Sequence, residues 1–233
     1  MSGGKDRRAR VLIVTAIAEE LAAFARRRLP EDIVAASTGD GPRQAAREAA
    51  ALCVRHRPAL LVGAGVAGAL SCDLVVGDIL VAQRVLDSTG AAPAPDEKLV
   101  ARACAMPGAR SGTLLSVERP LVTPAEKAEW ASQIGEAPAA VDMESAAWAR
   151  AAAAHGIPYL VIRAVSDDAL DELPGYLSRC MDRDGGIRRS AVALSALARP
   201  STIPTLLQMR RRVRDCSDRL AAFVEHFLAG VRP

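Results

Sequence analysis

Apolar positions along this chain alternate between two rhythms, one of strands and one of helices. Val11 to Val14 is a continuous apolar run of the kind that forms a buried strand, and Ala18 to Arg28 follows as a helix with Leu21 and Phe24 on one face. Ile33 to Ala36 repeats the strand pattern. The turn-rich run Ser37-Thr38-Gly39-Asp40-Gly41-Pro42 leads into a helix over Gln44 to His56, and Pro58 to Val62 returns as a strand. Further strands are predicted over Val75 to Arg84 and Thr113 to Val117, with a loop over Ser88 to Asp96 between them. Ala139 to Val141 is apolar again. Glu144 to His155 then reads as an Ala-rich helix stopped by Gly156 and Pro158, and Ile157 to Val165 as a near-continuous apolar strand. Leu173-Pro174-Gly175 and Asp184-Gly185-Gly186 mark turns, Ala191 to Ala198 a short helix, and the chain after Pro204 a final helix.

These elements predict one α/β domain over 1–233, with a variable segment 170–204 that the pattern does not assign and a C-terminal amphipathic helix over 205–229. Half of the 233 residues are hydrophobic, enough for a proper core. A right-handed crossover around the helix Glu144 to His155 makes its two flanking strands parallel and sets Glu144 and Asp167 at one carboxyl-end rim. In open α/β sheets that rim is where ligands bind.

Charge and cysteine usage narrow the partners. A net charge of +3 without a long basic block, and only 3% aromatic residues, argue against nucleic acid. Five cysteines form no CxxC pair and are odd in number, which fits reduced thiols in a cytoplasm. The apolar run after the basic N-terminus meets Glu19 and Glu20 without a cleavage site, so it is expected to be a first strand rather than a signal peptide, and no stretch is long enough to span a bilayer. His56, His155 and His226 lack metal-ligand spacing, so neither metal nor cofactor is expected.

Gly63-Ala64-Gly65-Val66-Ala67-Gly68 is a literal GxGxxG after a strand, but Ser71-Cys72-Asp73 and the strand-like run from Val75 leave no room for the helix that would hold a pyrophosphate. The glycines are read as a loop where backbone approaches a small ligand. Acidic residues carry the argument instead. Taken singly, Asp142 and Glu144 offset a helix dipole, Glu20 does the same for the first helix, and Asp167 caps a turn. Together, Glu20, Glu144 and Asp167 stand at three strand-to-helix junctions expected at one rim, which makes a candidate site.

Asp142-Met143-Glu144 and Arg163-Ala164-Val165-Ser166-Asp167, in this order, resemble the nucleoside phosphorylase and nucleosidase superfamily over roughly the first three quarters of the chain. Ser116 to Pro120, Val141 to Ser145 and the Asp184-Gly185-Gly186 tail look most like its hopanoid-associated branch, whose members are thought to release adenine from adenosylhopane. The resemblance implies a three-layer α/β/α fold with a mixed, largely parallel central sheet, and cleavage of a ribosyl bond through an oxocarbenium-like transition state. It places Asp167 as the acid that protonates the purine, Glu20 as the residue that activates water, Glu144 on the ribose hydroxyls and Met143 against the sugar. Leu121 falls on the base-binding strand, with Pro120 where an aromatic often stands, and Val66 and Gly68 lie in the glycine stretch of the binding site. Arg163 and Ser166 are counted with the substrate-binding residues, where they either anchor the acids or are purely structural.

Related phosphorylases hold phosphate with a Gly-Asp-Pro-x-Arg loop and with an Arg and a Ser in the glycine stretch; this chain has Glu20, Gly63 and Val66 at those places. A dianion there would be poorly compensated, which favours water, although Arg43 stands near enough in sequence to reach an anion. The expected substrate is an adenine nucleoside with an apolar 5′ substituent, and the resemblance implies a homo-oligomer. The alternatives are phosphorolysis, a methylthioadenosine- or futalosine-type nucleosidase, and a non-catalytic nucleoside-binding protein. In the C-terminal helix, Leu206, Met209, Val213, Cys216, Leu220, Phe223 and Phe227 form an apolar stripe between arginines. It either docks on its own domain or makes a basic amphipathic contact with a membrane surface or a partner.

Overall fold

A computed structural model of the protein describes residues 10–182 and 185–231. Most of the basic N-terminal stretch, and Asp184 of the Asp-Gly-Gly turn, lie outside them. In chain order the elements are β1 (Val11–Thr15), α1 (Ala18–Ala25), β2 (Ile33–Ser37), α2 (Pro42–His56), β3 (Leu60–Ala69), β4 (Ile79–Asp87), β5 (Gly90–Ala91) and α3 (Glu97–Cys104). They continue with β6 (Ala109–Ser116), α4 (Pro124–Ile134), β7 (Ala139–Asp142), α5 (Ser145–Ala154), β8 (Tyr159–Asp167), α6 (Arg189–Leu197) and α7 (Ile203–Val231).

The strands form a mixed, largely parallel sheet between two helical layers. Alternation along β1 separates the layers: Leu12 and Val14 pack with Leu61, Val161, Trp148 and the α2 residues Ala45 and Ala49, while Val11 and Ile13 pack with Val62, Leu160, Phe24 of α1 and Leu220 of α7. The apolar stripe of α7 therefore docks on its own domain, with Cys216, Leu220 and Phe227 buried and Leu206, Met209, Val213 and Phe223 partly so. That leaves the membrane reading without the face on which it was based.

Pairing corrects the expected crossover. β3 pairs in parallel with β1 and β8, and β4 and β7 in parallel with β6, but β8 meets β4 antiparallel and β7 meets β3 antiparallel. β7 and β8 thus run in opposite directions, and the circuit β3, β8, β4, β6, β7 closes on itself. The two carboxyl ends still meet. β3 and β7 overlap only through Gly68 with Val141 and Ala69 with Ala140, so antiparallel strands touch at their C-terminal tips, while Gly68 also faces Asp167 of β8.

The GxGxxG stretch is a second correction: it is the body of β3 rather than a loop. Its glycines make room for side chains, since a Cβ on Gly63 would lie 2.7 Å from the Trp148 ring and one on Gly65 would lie 2.1 Å from the Arg163 guanidinium. No helix follows Gly68, as the dinucleotide test required. β4 starts at Ile79, not Val75, because Gly77 takes φ +95° and the Asp78 carboxylate accepts from Val75 N at 3.1 Å, closing a turn. β6 starts earlier than expected, at Ala109, and β5 interrupts the expected loop after β4. Helices α3 and α4 were not expected at all. Asp96 caps α3 by accepting from Leu99 N at 3.0 Å, and Thr123 and Glu126 form a reciprocal capping box ahead of α4, with Pro124 in its first turn.

Segment 170–204 holds a 3₁₀ turn at Leu177–Cys180, an isolated bridge between Met181 and Ile187, and α6. Val122, Tyr176, Leu177 and Cys180 form a small core of their own beneath it.

Candidate active site

Around the meeting point of the β3, β7 and β8 tips lies a cavity of about 230 Å³. Glu20, Val66, Gly68, Leu121, Met143, Glu144, Ser166 and Asp167 all line it. Arg163 does not: it is 1% exposed and sits behind the wall, which corrects its expected place as a binding residue. Arg43 is exposed and lines a neighbouring groove instead.

Glu20 enters from the first turn of α1 and is 2% exposed. Its Oε2 accepts from Ala16 N at 2.8 Å and Ile17 N at 3.0 Å, and its Oε1 from Val66 N at 2.8 Å. Burial raises its pKa, outweighing the Arg163 charge and these three amides. Glu144 stands at the N-terminal boundary of α5 without capping it and accepts instead from Gly41 N at 2.9 Å, so the turn Ser37 to Pro42 serves to orient an acid. Burial, then the neighbouring Asp142 carboxylate, and more weakly Glu20, push Glu144 from 4.5 up to about 8.

Arg163 holds this wall together. Its guanidinium pairs with Asp142, lies 3.8 Å from Glu144 Oε2, donates to Ser145 Oγ at 2.8 Å and stacks 4.6 Å from the Trp148 ring centre. Asp142 also accepts from Ser116 Oγ at 2.6 Å and from the Ser145 hydroxyl, which makes it a support and not a free acid. Three carboxylates thus share one guanidinium in a dry setting.

Asp167, at the end of β8, has its side chain 15% exposed toward the cavity. Its Oδ1 accepts from Ser166 Oγ at 2.8 Å, and its Oδ2 is 2.6 Å from Lys127 Nζ. Lys127 was missed in the sequence, where a single lysine between Glu126 and Ala128 carries no signal. The capping box Thr123-Pro124-Ala125-Glu126 was the available clue that a helix starts there. Also missed were Leu173, Leu177, Ile187 and Met209, which with Val117 and Pro120 give the cavity an apolar end. Among the described residues no group of three or more His, Cys, Asp or Glu is placed to hold a metal ion.

A closed strand circuit with carboxylates gathered at the tips of β7 and β8 defines a nucleoside phosphorylase-type fold. The chain belongs to the Phosphorylase superfamily, whose model matches residues 22–199. It is 28% identical over 166 residues, 62% of this chain and 72% of the other, to a 5′-methylthioadenosine/S-adenosylhomocysteine nucleosidase of Shewanella halifaxensis. Among solved structures it resembles a Helicobacter pylori nucleosidase mutant with 5′-methylthioadenosine in the active site, with TM-score 0.73, 16% identity and coverage of 96% of this chain and 99% of that one. A futalosine hydrolase of the same organism gives TM-score 0.72 at 16% identity, covering 95% and 97%. A Streptococcus pneumoniae nucleosidase with a transition-state inhibitor gives 0.71 at 20%, covering 95% and 99%. At these identities the likeness shows the fold.

Proposed function

We propose that this chain hydrolyses the N-glycosidic bond of an adenine nucleoside carrying an apolar group at its 5′ carbon. The observation that carries the choice of water over phosphate is the occupancy of an anion cradle. The N–H groups of Ala16, Ile17 and Val66 converge on the Glu20 carboxylate. Such donors are what a phosphate dianion requires, and here the chain's own anion takes them. No lysine or arginine is among the described residues lining the cavity, so phosphate would meet carboxylates without a cation.

Bond cleavage leaves positive charge on the sugar and negative charge on the purine. Asp167 passes a proton to N7 of the departing adenine. Glu20, more basic than an ordinary glutamate because of its burial, orients and deprotonates the attacking water. Glu144 takes the ribose hydroxyls, and Met143 packs against the sugar. Leu121 and Pro120 border the base. The nucleosidase relatives support this chemistry, as their names place 5′-substituted adenine nucleosides in such folds.

The apolar end formed by Leu173, Leu177, Ile187 and Met209 supports an apolar 5′ group, and the Ser116 to Pro120 and Val141 to Ser145 motifs favour adenosylhopane. A second reading, a compact thioether such as methylthioadenosine, is favoured by the modest cavity volume of about 230 Å³. Incubation with adenosylhopane, methylthioadenosine and adenosine, with free adenine measured by chromatography, tests both. The first two should release adenine faster than adenosine; inactivity on all three overturns the proposal.

A further inference from the structure

Lys127 is among the largest side chains buried in this protein, at 1% exposure, and nothing in the sequence motifs accounts for it. It lies in the first turns of α4. Its ammonium finds three acceptors: Asp167 Oδ2 at 2.6 Å, the Asp168 carbonyl at 2.7 Å and the Asp171 carbonyl at 3.3 Å. All three hydrogens are thereby used. A simple clamp on the 168–171 turn would need only the two carbonyls, and neutral donors would serve them at lower desolvation cost.

The pairing among the nearby acids is selective. Asp168 accepts from Val76 N at 2.9 Å, and Asp171 accepts from Asp168 N at 3.1 Å and from Arg212 of α7 at 2.6 Å. Glu126, beside Lys127 on α4, is paired with Arg119 at 2.7 Å. Of these four acids only Asp167 gives its carboxylate to Lys127, and of the four only Asp167 lines the cavity.

We propose that Lys127 is a positioning residue for the acid step, acting through Asp167. It holds Oδ2 while Ser166 holds Oδ1, which fixes the plane of the carboxyl group at the cavity wall. When the proton leaves Asp167 for N7 of the base, the electron pair of the C1′–N9 bond goes to the purine. The carboxylate left behind faces the Lys127 ammonium. Lys127 thus lowers the energy of the state reached after proton transfer. The inference rests on the reading of Asp167 as the acid.

Lys127→Gln, which keeps donors for the two carbonyls, and Lys127→Met, which does not, are compared with wild type in rate against pH. For both, kcat is expected to fall about 10- to 100-fold with little change in KM. The alkaline limb of kcat/KM is expected to move, because the charge beside the acid is removed. Lys127→Arg, which retains the charge, should leave the limb in place. A folded Gln or Met variant with an unmoved limb overturns the inference, as does failure of both to melt cooperatively, since Lys127 is then a structural clamp. Asp167→Asn run in parallel separates the two readings. If it retains the wild-type rate the acid assignment falls; if it is inactive while the Lys127 variants keep the wild-type profile, only the role of Lys127 falls.

Discussion

The two walls of the cavity are built on opposite plans. On the polar wall, Glu20, Asp142, Glu144 and Arg163 come from four separate elements and are tied by backbone amides and buried ion pairs to a closed circuit of strands. On the apolar wall, Leu173, Leu177, Ile187 and Met209 come from one stretch after the last strand. Its described polar ties to the domain include Leu173 N on the Val122 carbonyl and Ile187 N on Asp40 Oδ2, each at 2.8 Å. Bond-breaking groups need fixed geometry, whereas a wall that sorts substrates can change its side chains without disturbing them.

The strongest way to break this contrast is Asp167→Asn. Adenine release should fall about 10²- to 10⁴-fold while nucleoside binding, measured calorimetrically, persists. Loss of binding together with rate would make the residue part of the scaffold. Arg163→Met should act on stability first, since it strands the Asp142 and Glu144 carboxylates; a loss of about 3–5 kcal/mol in urea unfolding is expected. A change below about 1 kcal/mol would show that the polar wall is not held by this residue.

On the other wall, Ile187→Ala combined with Met209→Ala should lower kcat/KM about tenfold for a nucleoside with an apolar 5′ group and leave adenosine nearly unaffected. Equal losses on both substrates would mean that the two walls are not separate. A last expected effect is on pH dependence. Because Glu144 is raised to about 8 in the fold from 4.5, the folded protein keeps a proton that the unfolded chain has released between those values. Stability therefore falls as pH rises through that window. Glu144→Gln should flatten the slope of Tm against pH from 5 to 8, and an unchanged slope would contradict the assignment.

The polar wall was also the more legible one in the sequence. Strand ends announce themselves by apolar runs followed by acids, and Glu20, Glu144 and Asp167 were found that way, although a loop and not a helix follows Asp167. What joins them was not legible. The overlap of β3 and β7 is two residues long, too short to leave a pattern, so an open parallel rim was inferred where a closed circuit exists. The glycines of β3 suggested a loop because their purpose is to admit Trp148 and Arg163, which are remote in sequence. The apolar wall left less trace still. Its four residues follow no single period, since they lie on a loop, a 3₁₀ turn, an isolated bridge and a helix.

The central claim is that water, and not phosphate, attacks the sugar in a cradle already filled by Glu20. Identifying the sugar product by mass spectrometry, after turnover in phosphate-free buffer and in buffer saturated with phosphate, tests it directly. The expected result is a free sugar with a 1-hydroxyl in both, at the same rate. A sugar 1-phosphate, or adenine release that requires phosphate, would contradict it.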